Sequence, residues 1–188
     1  MQVNNLHVYR DMPFDEYLKL DAISYSTIKS KFFGADISTL KMRIGTLVHQ
    51  YLFEPEKYDH NNQHNKIIKI MALEVKSILG AAFDGFECEI GITAAFLHEG
   101  FELNYKGRID MVRLGKIVLD LKVSEVELKN SIPFFGYDKQ LSGYSLATDA
   151  KMQMIIRINP KTNKIEFKSL PISDDWWNQQ ILRFGKVS

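Results

Sequence analysis

The spacing of apolar residues changes character at Phe86, and this change limits the folds open to the chain. Upstream the spacing is helical. Ile44, Leu47, Val48, Tyr51 and Leu52 recur within KMRIGTLVHQYLF (41–53), which stops ahead of Pro55, and Ile67, Ile70, Met71, Leu73, Val75 and Ile78 follow the same period. Downstream, short apolar and β-branched runs alternate with polar residues, with breaks at His98–Glu99–Gly100 and Leu114–Gly115. This alternation predicts strands over 86–96, 101–113 and 116–123, joined as an antiparallel meander.

The remaining elements follow from local signals. Ser24 starts a helix over 25–33 that Gly34 ends, and Gly80 to Gly85 break the second long helix. After Ser124 the pattern returns to one or two helices around Pro133 and Gly136. Segments 151–158 and 164–170 read as a hairpin about the turn at 159–163, and Ser173 caps a last helix carrying Trp176, Trp177, Ile181 and Phe184. Residues 1–23 show only short polar and aromatic pieces. The order of helices, three strands, helix, two strands and helix predicts an α/β domain of mixed α+β type, with a central mixed sheet flanked by helices. A chain of 188 residues suits a single domain, 1–188. Its parts are a mainly helical stretch over 1–80, a sheet with its associated helix over 86–170, and a C-terminal helix over 173–188.

Charge is balanced at 24 basic and 23 acidic residues, so any nucleic-acid surface must be a local patch. Cys88 is the single cysteine, which excludes an intrachain disulfide and a cysteine-ligated cluster and fits a reducing compartment. The N-terminus lacks a basic start followed by an apolar run, and no stretch approaches the roughly 20 apolar residues of a spanning helix. The expectation is a cytoplasmic protein without a membrane partner. Lys66, Lys69 and Lys76 read as a solvated helix face, with phosphate contact as the minority alternative.

The densest polar signal is Lys106–Gly107–Arg108–Ile109–Asp110 followed by Ile117–Val118–Leu119–Asp120–Leu121–Lys122. Side chains two apart on a strand share a face, so Asp120 and Lys122 project together while Leu119 and Leu121 point the other way. A tight turn makes the strands of Asp110 and Asp120 adjacent, and their carboxylates can then converge on one hard cation. Such a site suits phosphodiester hydrolysis with Mg²⁺ bridging a phosphate oxygen and water, and with Lys122 orienting or activating the water and stabilising the transition state. Taken alone, Asp120 and Lys122 also describe a solvent-facing pair. The apolar run before them argues for a cleft, because charges ending a buried strand cost desolvation unless they bind something. Lys106 and Arg108 extend the positive rim, although an ion pair with Asp110 explains Arg108 equally well. Trp176 and Trp177, adjacent on a helix, point about 100° apart and form no flat stacking platform.

The GRID sequence at 107–110 followed by a short strand with DLK at 120–122 resembles the PD-(D/E)XK nuclease superfamily, in particular its exonuclease branch with the lambda exonuclease, RecE-like and RecB-like domains. Gly45 to His49 is similar to the upstream G-x-x-x-H element of that branch, which implies that His49 lines the metal site. Glu89 matches the acidic residue on the preceding strand, with Glu87 on the same strand face as the alternative. Gln140 to Tyr144 resembles the Q-x-x-x-Y element, and Tyr25 to Lys29 resembles the N-terminal segment of RecE-like nucleases. The matched elements span 24–144.

The resemblance implies a restriction-endonuclease-like core, Mg²⁺ with Mn²⁺ substituting, and metal ligands Asp110, Asp120, Glu89 and His49, with Lys122 completing the catalytic set. Gln140, Tyr144, Arg108 and Lys106 are then the DNA contacts. Ile109 stands where the superfamily name has proline, and Val123 where threonine is common. The implied activity is a DNA exonuclease of recombination, repair or phage genome processing, with an endonuclease or an inactive DNA-binding or assembly protein as alternatives. DNA, a single-strand annealing or single-strand-binding protein and further copies of the chain are the implied partners.

Overall fold

The computed structural model describes residues 1–33 and 40–187 of the chain; Gly34, the expected helix terminator, lies outside the described residues. Strand β1 (Gln2–Tyr9) is followed by helices α1 (Phe14–Lys19), α2 (Tyr25–Phe33), α3 (Leu40–Phe53) and α4 (Asn65–Leu79). The meander consists of β2 (Glu87–His98), β3 (Phe101–Arg113) and β4 (Ile117–Val123). Then come α5 (Leu128–Phe135), α6 (Tyr137–Thr148), β5 (Met152–Ile158), β6 (Ile165–Leu170), α7 (Asp175–Phe184) and β7 (Lys186–Val187).

The strands lie in the order β1-β2-β3-β4-β5-β6, with β7 on β3. Among the described strands every neighbouring pair is antiparallel except β4 with β5. A parallel neighbour cannot be reached by a tight turn, and α5 with α6 forms the crossover. Apolar residues pack on both faces of the sheet. Phe96, Tyr105, Ile109 and Val118 meet Leu141 of α6 and Trp177 of α7 in one layer. Met111, Leu119, Leu121 and Ile156 meet Val48 and Leu52 of α3 and Ile68, Met71 and Val75 of α4 in the other. The alternation in IVLDLKV is what serves both layers, since Leu119 and Leu121 go under α3 and α4 while Val118 goes to the α6 side. The result is a mixed sheet flanked by helices, a restriction-endonuclease-like core.

Two local expectations change and one gains a detail. The mainly helical stretch over 1–80 also contains an edge strand, Gln2–Tyr9, on β2. Its alternation is broken by a register shift between Asn4 and His7, where Asn5 has φ +55°, so the period-two signal is lost. The last helix ends at Phe184, and Lys186–Val187 pairs with Glu102 and Phe101. Asp174, not Ser173, is the residue before that helix, and the Ser173 hydroxyl accepts the Asp175 N–H at 3.3 Å. Among the described residues no helix is long and apolar enough to cross a membrane.

One buried ion pair ties the crossover to the sheet. The Arg157 side chain on β5 is 2% exposed and lies 3.0 Å from Glu166 Oε2 on β6. Its guanidinium also donates to the carbonyls of Ser124 at 2.8 Å and Glu125 at 2.7 Å. Glu166 accepts the Leu128 N–H at the start of α5, and this bond, with the charge of Arg157, holds its carboxyl below the usual range despite some burial. Glu166→Gln should cost about 1–2 kcal/mol at neutral pH, less than a fully buried pair because Glu166 is 22% exposed. A depressed carboxyl pKa contributes stability above the unfolded value of about 4.3 and loses it as pH falls through the folded value. Urea unfolding at neutral and acid pH should therefore show wild type and variant converging at low pH; a gap independent of pH would reject the assignment.

Candidate metal centre

The centre grows from an irregularity shared by adjacent strands. Cys88 pairs with Met111 and Ile90 with Ile109, which sets Glu89 opposite Asp110. Met111 pairs with Leu119, so the next step of that register sets Asp110 opposite Asp120. Glu89 has φ +50°, a conformation that costs a non-glycine residue about 1 kcal/mol or more. Facing switches at this point in both strands. Ile90 and Ile109 pack on the α6 side, whereas Cys88 and Met111 pack under α3 and α4. Backbone pairing of β3 with β4 ends here as well, and Asp110 Oδ2 accepts the Leu121 N–H at 2.7 Å in its place.

His49 reaches this point from α3. Its Nε2 lies 3.0 Å from the Leu121 carbonyl, which can only accept, so Nε2 carries a proton. Nδ1 is thereby turned toward the acids, 3.2 Å from Glu89 Oε1 and 3.7 Å from Asp110 Oδ1. Burial disfavours the imidazolium, but the charge of Asp110 and the hydrogen bond and charge of Glu89 outweigh it and push His49 up to about 9. Burial, with Asp120 and Glu89 adding to it and His49 and Lys122 opposing it, pushes Asp110 up to about 7. Glu89 is shifted downward, since His49 and Arg108 outweigh its burial. Gly45, one turn before His49, is not needed for close packing. A Cβ there would meet Val123 Cβ at 3.7 Å, an ordinary contact.

His49, Glu89 and Asp110 each offer a ligand atom, and these atoms lie within 4.8 Å of one another. Asp120 is not in that triad. Its carboxylate, 2% exposed, faces Lys122 Nζ, 2.8 Å from Oδ2 and 3.0 Å from Oδ1. The hydrogen bond goes to Oδ1, which leaves Oδ2 buried without one. Lys122 also sits 5.1 Å from the Tyr137 ring centroid, and Asp120 and Asp110 raise its pKa against the effect of burial. Carboxylate oxygens and one imidazole nitrogen form a donor set that fits a hard divalent cation. A cleft of about 950 Å³ is lined by His49, Glu89, Arg108 and Lys122.

The other residues singled out from sequence sit as follows. Arg108 makes no ion pair with Asp110; its Nε donates to Glu89 at 2.8 Å and its Nη2 to Glu54 at 3.0 Å. The switch of facing at Asp110 separates the two side chains. Lys106 is 6% exposed, and its ammonium donates to the carbonyls of Tyr17, Leu18 and Leu20 at the end of α1. Those bonds occupy it away from an open rim. Gln140 donates to the Tyr144 hydroxyl at 2.9 Å, and Tyr144 is buried against Gly107, where a Cβ would stand 2.6 Å from its ring. Gln140, Tyr144, Lys106 and Arg108 border a smaller cavity of about 290 Å³ with Ser24, Ser26 and Thr27. Glu87 pairs with Arg10 at 2.5 Å and stands apart from the triad. Trp177 is fully buried, donating to the Lys139 carbonyl at 2.9 Å, and meets Trp176 at 88°. Sequence reasoning missed Glu54, which follows the end of α3, and the aromatic cleft residues Phe14, Phe135 and Tyr137.

No protein-family profile and no curated protein matches the chain. Solved structures do resemble its fold. A candidate exonuclease from Eubacterium rectale aligns over 82% of this chain and 67% of its own, at 20% identity and a TM-score of 0.53. A phage-related exonuclease from Haemophilus somnus 129PT aligns over 84% of this chain and 82% of its own, at 14% identity and a TM-score of 0.41. At 20% identity the likeness to the first of these is one of fold. The chain has a nuclease-like fold with a candidate metal-binding triad.

Metal binding is measurable without turnover. A cation held only by the folded state at about 100 times its dissociation constant adds about 2.7 kcal/mol, which for a chain of this size is a rise of roughly 5–10 °C in melting temperature. Mn²⁺ should give such a rise, EDTA should reverse it, and Asp110→Asn should abolish it. An unshifted melt, or an equal shift in the variant, would remove the triad from consideration as a metal centre.

Proposed function

We propose that this chain is a metal-dependent DNA nuclease of the PD-(D/E)XK exonuclease branch, using Mg²⁺ with Mn²⁺ as a substitute. One observation supports the reading: Glu89 and Asp110 of neighbouring strands gather about His49 of α3, the Asp120–Lys122 pair stands on the next strand, and His49, Glu89 and Lys122 line one cleft. The structural likeness to a protein named as a candidate exonuclease supports it.

His49, Glu89, Asp110 and Asp120 would hold the cation. When bound, it supplies charge neutralisation at the scissile phosphate and a lowered pKa for coordinated water. The chain's own groups do the rest. The Leu121 carbonyl fixes the His49 ring so that Nδ1 faces the acids. Arg108 restrains Glu89 through its second oxygen, leaving the first toward His49. Lys122, anchored by Asp120 at the cleft, is positioned to donate to a phosphate oxygen or to the attacking water, where a fixed positive charge stabilises the transition state. A DNA end is the substrate in this reading, in recombination, repair or phage genome processing. Annealing or single-strand-binding proteins and further copies of the chain are the partners it implies, in a cytoplasmic setting.

End-labelled linear DNA and a covalently closed circle, incubated with Mg²⁺ or Mn²⁺, test the activity. The linear substrate should be degraded and the circle spared. Asp120→Ala should abolish cleavage, and Lys122→Ala should lower the rate roughly 10²–10³-fold while the Mn²⁺-dependent rise in melting temperature persists. Cutting of the circle would assign an endonuclease; DNA binding without cleavage in either metal would leave a binding protein on a nuclease-like fold.

A further inference from the structure

Aromatic rings extend from the metal centre to the surface along the wall of the cleft built by α5 and α6. Tyr137 lies nearest, under the Lys122 ammonium. Phe135 stacks on it with centroids 5.4 Å apart and planes inclined by 24°. Phe134, 79% exposed, meets Phe135 edge-on at 4.9 Å and continues the row into solvent. Cations alternate with these rings, Lys29 standing 5.3 Å from the Phe135 centroid and Lys122 5.1 Å from that of Tyr137. Across the cleft Phe14 carries Arg108 at 5.6 Å. Glu125, an acid lining the cleft, is paired with Lys161 at 2.9 Å.

The row is held in place by its backbone. The Tyr25 hydroxyl donates to the Phe135 carbonyl at 2.8 Å. Gly136, at φ +67°, makes the elbow between α5 and α6, and a Cβ there would collide with that hydroxyl. Only glycine lets the elbow keep its left-handed turn and the tyrosine its bond. A large, 79% exposed phenylalanine beside such a fixed elbow gains nothing from the core.

We propose that this cation-flanked row, Phe134–Phe135–Tyr137 with Lys29 and Lys122, is a track for the unpaired bases of a single DNA strand leading to the metal centre. Ring faces accept base faces, and ammonium groups between them accept phosphates, the pattern by which proteins hold single strands without reading sequence. A duplex keeps its base faces stacked inside and turns its phosphates outward, so it has nothing to lay against aromatic rings. The substrate class is therefore single-stranded DNA, or the frayed end of a duplex. This step rests on the nuclease reading for what happens at the end of the track, but not for the binding itself.

Fluorescence anisotropy with the full chain in EDTA separates the contributions. The probes are a labelled short oligothymidylate, an abasic strand of the same length and a blunt hairpin duplex. The thymidylate should bind about 10-fold more tightly than the other two. Phe134→Ala combined with Phe135→Leu, which keeps most of the apolar volume, should remove that advantage and leave the abasic strand bound as before. Should the pair of changes lower the melting temperature, Phe134→Ala alone, at an exposed position, should still reduce thymidylate binding selectively. Equal binding of all three probes by the wild type, or undiminished thymidylate binding by the folded variants, would overturn the track. Parallel Mn²⁺ cleavage distinguishes the two readings. Preferred thymidylate binding without any cleavage sinks the nuclease reading alone, and equal cleavage of single strand and duplex, unaltered in the variants, sinks the track alone.

Discussion

The hydrogen bond from the Leu121 N–H to Asp110 Oδ2 joins the fold to its chemistry. At this position β3 and β4 stop exchanging backbone bonds, and a buried N–H without a partner would cost on the order of 1–3 kcal/mol. The carboxylate takes the place of the missing carbonyl. Because it is a side chain, it has a second oxygen to offer, and that oxygen lies 3.7 Å from His49 Nδ1. The Leu121 carbonyl, on the other side of the same residue, orients His49 itself. One residue of β4 thus positions two members of the triad through its main chain, and its side chain anchors β4 beneath α3 and α4.

The opposing side of the triad depends on charge. Glu89 occupies a left-handed backbone conformation and is drawn by Arg108 through one oxygen and by His49 through the other. Arg108 is shared with Glu54, so the positive charge nearest the triad is already divided between two acids. Lys122 is likewise committed to Asp120. Burial raises the proton affinity of Asp110, and the charges of Asp110 and Glu89 raise that of His49, a setting in which a divalent cation can take the place of bound protons as the counterion.

Much of this arrangement can be read in the sequence, and the parts that cannot share a cause. The regular alternation of Val118, Leu119, Asp120, Leu121 and Lys122 is governed by the two apolar layers, and the sequence shows it directly. The helical spacing that carries His49 is equally plain. Alternation fails at Glu89 and Asp110 because the strands switch facing there, and a period-two rule assigns Arg108 to Asp110 when its partners are Glu89 and Glu54. The edge strand Gln2–Tyr9 escapes for a similar reason, a register shift within a largely exposed segment. Lys106 looks like a rim cation in sequence, and only the path of α1 across β3 reveals the carbonyls that bury it. Local pattern describes regular backbone well; irregular backbone, which is where side chains are aimed out of register, has to be seen.

The walls of the cleft are as constrained as its floor. Segment 124–127 leaves β4 after Val123, one residue past Lys122, and Arg157 holds its carbonyls at Ser124 and Glu125 while Glu166 holds the first free N–H of α5. From there α5 runs to the Gly136 elbow, which Tyr25 of α2 fastens through the Phe135 carbonyl. The wall is therefore tied at its start to β5 and β6 and at its end to α2, so the aromatic rings it carries keep a fixed distance from Lys122. A wall anchored at both ends costs little ordering entropy when it is occupied. The parallel β4–β5 pairing explains why the wall exists at all: it requires a crossover, and α5 with α6, in making that crossover, passes beside the residues that the meander has already gathered.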